Sequence, residues 1–407
     1  MSVEKMFPKQ GENLPEIRFK GFSGEWVALT LGDYTTFRRG SFPQPYGNKE
    51  WYGGEGSMPF VQVVDVSKDL SLAEDTKQKI SLKAQLRSVF VQKGSVVVTL
   101  QGTIGRVAIT QYDSFVDRTI LIFESFSKKT DSSFWAYTIQ NKFDLEKKRA
   151  PGGTIKTITK EALSSFDVLI PTTEEQTQIG NYFQKLDSLI NQHQQKHDKL
   201  SNIKKAMLEL MFPKQGENIP EIRFKEFSGE WEEIQLSEEV TFINGRAYSQ
   251  EELQDKGKYT VLRVGNFYTN SSWYYSDMEL GDKYYANFGD LLYTWSASFG
   301  PHIWDGDKVI YHYHIWKLEL SENVDKLFLL HLLDYDRAKI LSGSNGSTMI
   351  HITKFAMEAK KVFIPKKDEQ SKIGNYFQKL DTLINQHQQQ ITKLNNIKQA
   401  CLSKMFV

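Results

Sequence analysis

One stretch in the middle of the chain constrains the fold more than any other. Glu174 to Phe212 reads EEQTQIGNYFQKLDSLINQHQQKHDKLSNIKKAMLELMF, with no proline and no glycine after Gly180. Ile179, Tyr182, Leu186, Leu189, Leu200, Ile203, Met207 and Leu210 fall on the a and d positions of a seven-residue repeat. A heptad kept over several turns describes a helix that packs along another helix. His193 at a and Lys196 at d are the polar slots of that seam. About 38 residues at the helical rise make a rod on the order of 57 Å long.

The chain supplies the partner itself. Ile373 to Gln389 repeats Ile179 to Gln195 with one change in 17 positions, Thr382 in place of Ser188. The second seam runs through Ile373, Leu380, Leu383, His387, Leu394, Ile397 and Cys401. A second repeat precedes each helix by one domain length. Met6 to Trp26 (MFPKQGENLPEIRFKGFSGEW) and Met211 to Trp231 (MFPKQGENIPEIRFKEFSGEW) agree at 19 of 21 positions. The order is block, variable region, helix, block, variable region, helix, and just before the final Val407 stand Met405 and Phe406, which match the first two residues of another block. A repeat that can restart at its own end implies two halves in a pseudo-two-fold arrangement. The division expected is a first domain at 1–172, a spacer helix at 173–212, a second domain at 213–366 and a second spacer helix at 367–407.

The connections favour an antiparallel helix pair. His193 and His387 occupy the same slot in the two copies. Two readings of that polar layer stand together: it fixes register at a cost in stability, or it is the solvated mid-section of a fraying coil.

The variable regions have another character. VVVTL at Val96, RVAIT at Arg106 and TILIF at Thr119 are short β-branched runs punctuated by Gly94, Gly102 and Gly105. LLYTW at Leu291 and HIWKLEL at His314 echo them, with Gly289 and Gly300 in matching places. Each region adds a shorter helical segment, Phe134 to Lys148 or Val324 to Leu341, and ends in an apolar run before a proline, FDVLIP or KVFIP. The pattern predicts two globular domains of α/β (α+β) class, related in fold and divergent in surface.

Composition excludes several classes. Net charge is +1, so bulk charge draws the chain to neither nucleic acid nor membrane. The sequence shows no run of the 18 or so apolar residues a membrane span needs. The polar start MSVEKMFPKQGEN lacks the apolar centre of a signal peptide. The single cysteine, Cys401, rules out an internal disulfide and sits on the helix seam, which points to a reducing, cytoplasmic setting. No GxxxxGK[ST] loop, GxSxG elbow, HExxH helix or DPPY-type tetrapeptide is present, so no catalytic residue is assigned. His312 and His314 would share a face of a strand, but no third ligand accompanies them, and no metal site is assigned. The carboxylates Glu174, Glu175, Glu232, Glu233, Glu238 and Glu239 fall at helix starts or in solvated runs, where the helix dipole accounts for them.

At this point the residues resemble a known family. The lead-in NLPEIRFKGFSGEW, the GTIGRVAI turn and the junction TIKTITKEALSSFDVLIPTTEEQTQIGNYFQKLD, matched by MIHITKFAMEAKKVFIPKKDEQSKIGNYFQKLD, are similar to those of type I restriction–modification specificity subunits. The resemblance covers nearly the whole chain. The second domain departs at the glycine turn, where TWSASFGPHIW stands for TLQGTIGRVAI. The resemblance implies two target recognition domains, each reading one half of a split site in double-stranded DNA, with the coiled coil setting the gap. It further implies two methylation subunits that use S-adenosylmethionine, and restriction subunits that use ATP and Mg, with no cofactor bound by this chain.

Base edges are read by Arg, Asn, Gln and small polar groups, while phosphate contacts give affinity. On that basis the DNA-contact candidates are Arg38, Arg39, Gln101, Thr103, Arg106, Arg118 and Lys156 in the first domain. In the second they are Arg246, Arg263, Asn266, Trp295, Ser296, Ser298, His302, His314 and Lys354. Leu14 to Thr172 carries 21 Lys and Arg against 17 Asp and Glu, whereas Ile219 to Lys366 carries 16 against 22. An acidic reading domain needs a partner to hold the phosphates. Two rivals remain: a structural adaptor with two protein-binding domains, and a tandem enzyme whose motifs are missing.

Overall fold

The computed structural model describes residues 13–149, 158–343 and 352–405, apart from positions 16, 159, 269 and 297. The chain divides into two compact units. The first comprises residues 1–194 with 389–407, the second residues 195–388. Each unit therefore holds one globular part, the opening half of the long helix that follows it and the closing half of the other.

The long helices are Thr173–Met211 and Lys367–Met405. Within each unit their halves run antiparallel. In the first unit Tyr182 meets Cys401 and Asp187 pairs with Lys398, so one number rises as the other falls. In the second unit Lys204 pairs with Asp381 at 2.7 Å and Phe212 stacks near Phe377. The seam is the one the heptad describes. Ile179, Leu186 and Cys401 are buried in the first unit, with Leu394 and Ile397 packed on them. Ile373 and Leu380 are buried in the second, with Leu200 and Ile203 packed on them. Leu189, His193, Leu383 and His387 are partly buried.

One heptad slot is corrected. Lys196 is exposed, and the inward position is the next residue, His197, whose counterpart Ile391 is buried. A straight helix drifts about 20° per heptad against a 3.5-residue repeat, which carries the inward face on by one position. Phe183 and Phe377, outside the a and d set, are fully buried because each helix also packs against its globular part.

The two units are built alike. In the first, a four-stranded antiparallel sheet has the order Thr35–Arg39, Ile120–Phe126, Val96–Thr99, Val107–Ile109. A second sheet has the order Gln78–Ile80, Met58–Val61, Ser114–Val116, Val89–Val91, with its middle pair parallel. In the second unit the corresponding orders are Val240–Asn244, Ile315–Leu320, Leu291–Thr294, Gly300–Ile303, and Tyr274–Ser276, Tyr259–Leu262, Val309–Tyr311, Tyr285–Ala286. Short two-stranded pairs, Val27–Thr30 with Asp167–Ile170 and Glu232–Gln235 with Lys361–Ile364, tie the start of each globular part to its end. The helices Ser132–Arg149 and Lys326–Gly343 cover the first sheet of each unit.

The structure gives the repeated block and the Glu-Gln junction a physical reason. Arg18 grips the buried Glu175 with two nitrogens at 2.7 Å each and also donates to the Gly24 carbonyl. Arg223 does the same with Glu369 at 2.6 Å and with the Gly229 carbonyl. Glu175 and Glu369 have 1% of their side chains exposed, so each pair is a two-pronged buried clamp between block and helix. Glu175 thus answers to a guanidinium, which replaces the helix-dipole account given above for it. The adjacent glutamines complete the junction. Gln176 donates to the Pro171 carbonyl and accepts from Asp131 N–H; Gln370 donates to Pro365 and accepts from Asp325.

Asp131 and Asp325 in turn cap the covering helices by accepting from Phe134 and Phe328 N–H. The approach is close. A Cβ on Gly180 would lie 2.5 Å from Asp131 Oδ1, and one on Gly374 2.7 Å from the Phe328 nitrogen.

Candidate nucleic-acid interface

In each unit the loops that leave four neighbouring strands are tied together by backbone hydrogen bonds, and the ties are the same in both. In the first unit Gly40 N–H donates to Ile120, Ser41 to Val116, Asp117 to Val61 and Leu100 to Thr119, at 2.8–3.0 Å. In the second, Gly245 donates to Ile315, Arg246 to Tyr311, His312 to Leu262 and Trp295 to His314, at 2.9–3.1 Å. Gly40 and Gly245 let the chains cross at contact distance. A Cβ on Gly40 would sit 2.1 Å from the Val116 carbonyl oxygen, and one on Gly245 2.4 Å from that of His312. The framework of this tip is thus fixed by backbone, and the side chains on it are free to differ.

In the first unit Gln101 and Thr103 are exposed on a tight turn. Thr99 holds the turn by donating to the Thr103 carbonyl at 2.5 Å and accepting from Arg106 N–H at 3.0 Å. Gly102 and Gly105 supply the positive φ values of 64° and 80° that the turn requires. The Arg106 guanidinium turns inward and donates to the Val66 carbonyl at 3.3 Å. Arg118 is exposed and lies 5.3 Å over the Tyr46 ring. Arg38 is half-exposed and paired with Glu124 at 2.5 Å. Arg39 is exposed and, with Ile158 and Lys160, borders a hollow of about 250 Å³. Lys156 lies outside the described residues.

The second unit carries a different surface on the same frame. Arg246 is locked by two bonds to Glu252, at 3.0 and 2.7 Å, and lies over Tyr248. The hydrogen bond raises the Arg246 pKa and lowers that of Glu252. Arg263 stacks 4.1 Å over Tyr274. Asn266 staples its own loop, accepting from Arg263 N–H and donating to the Asn270 and Ser272 carbonyls. Trp295 donates to the Tyr313 carbonyl and stacks on Trp316. Ser296 is partly buried and Ser298 exposed beside it.

His302 stacks on Phe267 at 4.2 Å and meets the Tyr268 hydroxyl at 3.2 Å. Burial, then the Arg337 charge, push its pKa down to about 4, so it is a neutral donor–acceptor at physiological pH. His314 packs edge-on against Trp295. Lys354 begins a short helix and pairs with Glu358 at 3.4 Å; the preceding Ile352 N–H reaches the Trp295 carbonyl.

The structure thus gathers Gln101, Thr103 and Arg118 on one tip, and Trp295, His314 and Arg246 on the other. Arg38, Arg106, Asn266 and Arg246 are already engaged within the protein, as are Trp295, His302 and Lys354. The sequence reading did not single out Tyr313, 39% exposed between His312 and His314, or Val64, 66% exposed, whose neighbour Val63 lies against Gly102. The HYHIW run carried the signal for Tyr313, an aromatic flanked by two histidines whose rings pack against it. No group of three or more His, Cys, Asp or Glu able to hold a metal occurs among the described residues.

A family model for the type I restriction modification DNA specificity domain matches twice, over residues 24–202 and 228–396. The chain belongs to that family. It is a specificity subunit with two tandem specificity domains, a role without catalytic chemistry of its own. This specificity subunit is 20% identical over 404 residues to the type I restriction enzyme MjaVIII specificity subunit of Methanocaldococcus jannaschii, covering 94% of this chain and 92% of that one. It is 24% identical over 344 residues to a putative MjaX specificity subunit of the same organism, covering 79% and 78%.

Its fold is that of the crystallised type I restriction-modification S subunit from M. genitalium, with a TM-score of 0.59 at 17% identity over 96% of this chain and 98% of that one. A chain solved in work on assembly and conformational transition of the type I R-M system superposes with a TM-score of 0.51 at 14% identity, covering 93% and 97%.

Proposed function

We propose that each unit of this specificity subunit reads one half of a bipartite site in double-stranded DNA through its tip, and that the paired helices set the gap between the halves. One observation carries the reading. The same backbone frame is tied by the same hydrogen bonds in both units, while the exposed groups on it change from Gln101, Thr103 and Arg118 to an aromatic and histidine surface around Trp295 and Tyr313. A shared frame with exchanged side chains is what two readers of different sequences require, because base edges are read by side chains and the duplex is otherwise uniform.

Lys156 and Lys354, together with Arg39 and Lys160, would contribute to phosphates. Two methylation subunits and the restriction subunits complete the assembly. S-adenosylmethionine, ATP and Mg act in those partners, and the assembly works in the cytoplasm. No helix among the described residues is long and apolar enough to cross a membrane. The linear division into domains at 1–172 and 213–366, with spacers at 173–212 and 367–407, assigns each long helix wholly to the spacer.

The test is to co-express the chain with its methylation subunit and map adenine methylation across a genome. A two-part motif with a fixed gap supports the proposal. Absence of new methylation, with the same methylation subunit active beside another specificity chain, leaves the structural adaptor that the acidic second domain would suit.

A further inference from the structure

We propose that Arg118 and Tyr313 occupy one framework position and set base choice there: Arg118 selects guanine in one half-site, and Tyr313 selects thymine through its 5-methyl group in the other. The inference rests on the tip reading above and adds which side chain reads what.

The two residues are equivalent by hydrogen bonding. Asp117 N–H donates to Val61 and His312 N–H to Leu262; Leu100 donates to Thr119 and Trp295 to His314. Each lies in a four-residue turn closed by the same bond, Ile120 N–H to Asp117 at 3.0 Å and Ile315 N–H to His312 at 2.9 Å. Arg118 and Tyr313 are the second residues of those turns, the place from which a side chain projects outward. The turns are rigid. Asp117 accepts from Thr119 N–H at 2.8 Å, from Thr119 Oγ1 at 2.6 Å and from the Tyr46 hydroxyl at 2.5 Å. Tyr313 is wedged between His314 and His312, with ring centroids 3.9 and 4.4 Å away.

The chemistry at the position differs in kind. Two of the arginines near the first tip are engaged, Arg38 by Glu124 and Arg106 by the Val66 carbonyl. Arg118 rests on the Tyr46 ring, and no carboxylate pairs with it among the described residues. The guanidinium also meets the Tyr46 hydroxyl, and with its plane oriented by the ring, its further N–H groups suit a two-pronged bond to guanine O6 and N7. Tyr313 brings no charge, and its ring has apolar C–H groups beside the hydroxyl that ends it. In the major groove the thymine methyl is the apolar feature such groups can select.

The experiment uses the full chain co-expressed with its methylation subunit, with the methylated motif read genome-wide for wild type, Arg118→Ala, Arg118→Lys, Tyr313→Ala and Tyr313→Arg. Arg118→Ala is expected to make one guanine position degenerate, with discrimination falling on the order of 10- to 100-fold, and to leave the other half and the gap intact. Tyr313→Ala relaxes a thymine position in the opposite half, and Tyr313→Arg moves that position towards guanine. Arg118→Lys, which keeps charge and loses the fork, relaxes the same position as Arg118→Ala.

If Arg118→Ala abolishes methylation and Arg118→Lys restores the unchanged motif, Arg118 grips phosphate and the inference is overturned. It is overturned also if Gln101→Ala or Thr103→Ala alters the motif while substitutions at 118 and 313 do not. If none of these substitutions moves the motif, the tip reading itself fails.

Discussion

Exchanging His331 for tyrosine tests how the second unit is joined to its long helix. His331 is 1% exposed, its ring lies 5.1 Å from that of Phe377, and neither ring nitrogen has a hydrogen-bond partner among the described residues. Asp381 is 3.9 Å away, beyond hydrogen-bond reach, and is held by Lys204 at 2.7 Å. The carboxylate therefore does not rescue the imidazole. Burial, then the Lys204 charge, push its pKa down to about 3 against an opposing pull from Asp334.

The first unit solves the same junction differently: Tyr137 donates its hydroxyl to Asp187 at 2.6 Å, beside Lys398. A buried polar group left unpaired costs about 1–3 kcal/mol, and a hydrogen bond to a charged acceptor contributes about 1.5–3 kcal/mol. The larger ring costs on the order of 1 kcal/mol in repacking. His331→Tyr should stabilise the second unit by about 1.5–5 kcal/mol, which for a unit of this size raises Tm by roughly 3–20 °C.

The pH dependence separates this from generic stabilisation. The folded pKa of His331, about 3, lies below its ordinary value of 6.5, so the unfolded chain takes the proton first as pH falls. The wild-type contribution is complete above pH 6.5 and is lost below it, towards the folded value, at up to roughly 1.4 kcal/mol per pH unit. His302 and His312, both depressed to about 4, remain in wild type and variant and cancel in the difference. Calorimetric melts near neutrality and about two pH units lower should show the variant's advantage growing with acidity. A variant that melts below wild type, or keeps the same acid slope, refutes the reasoning.

Three further outcomes are expected. Arg223→Ala strands the buried Glu369 carboxylate and should cost about 3–5 kcal/mol, seen as a lowered unfolding transition, with no such loss for an exposed pair such as Lys361–Glu233. Adding four residues within Leu189–Ile203 should change the gap between the methylated half-motifs and leave both halves as they were; an altered half-motif would count against the helices as a spacer. The chain alone should bind its site weakly and the complex with the methylation subunit tightly in a gel-shift titration, because residues 219–366 carry 16 Lys and Arg against 22 Asp and Glu.

What the sequence exposes and what it hides follow from how far each interaction reaches along the chain. The long helices are legible because Ile179, Leu186 and Leu200 state their period within a few turns, and the tip loop because Gly102 and Gly105 mark a turn that other residues resist. The second sheet of each unit is hidden: strands such as Ser114–Val116 and Val309–Tyr311 are three residues long, too short to show alternation. The reason for the repeated block is hidden too, since Arg18 and Glu175 are 157 residues apart and Arg223 and Glu369 are 146 apart. Arg106 and Arg118 look equally free as letters. Only the fold turns one inward to Val66 and leaves the other outward over Tyr46.

On the proposed reading, the same contrast accounts for a change of target. Everything repeated between the units, the clamp, the glutamine junction and the backbone ties of the tip, is fixed by contacts that a new side chain at position 118 or 313 does not touch. On that reading, base choice is exchanged at the tips without disturbing the frame that holds them.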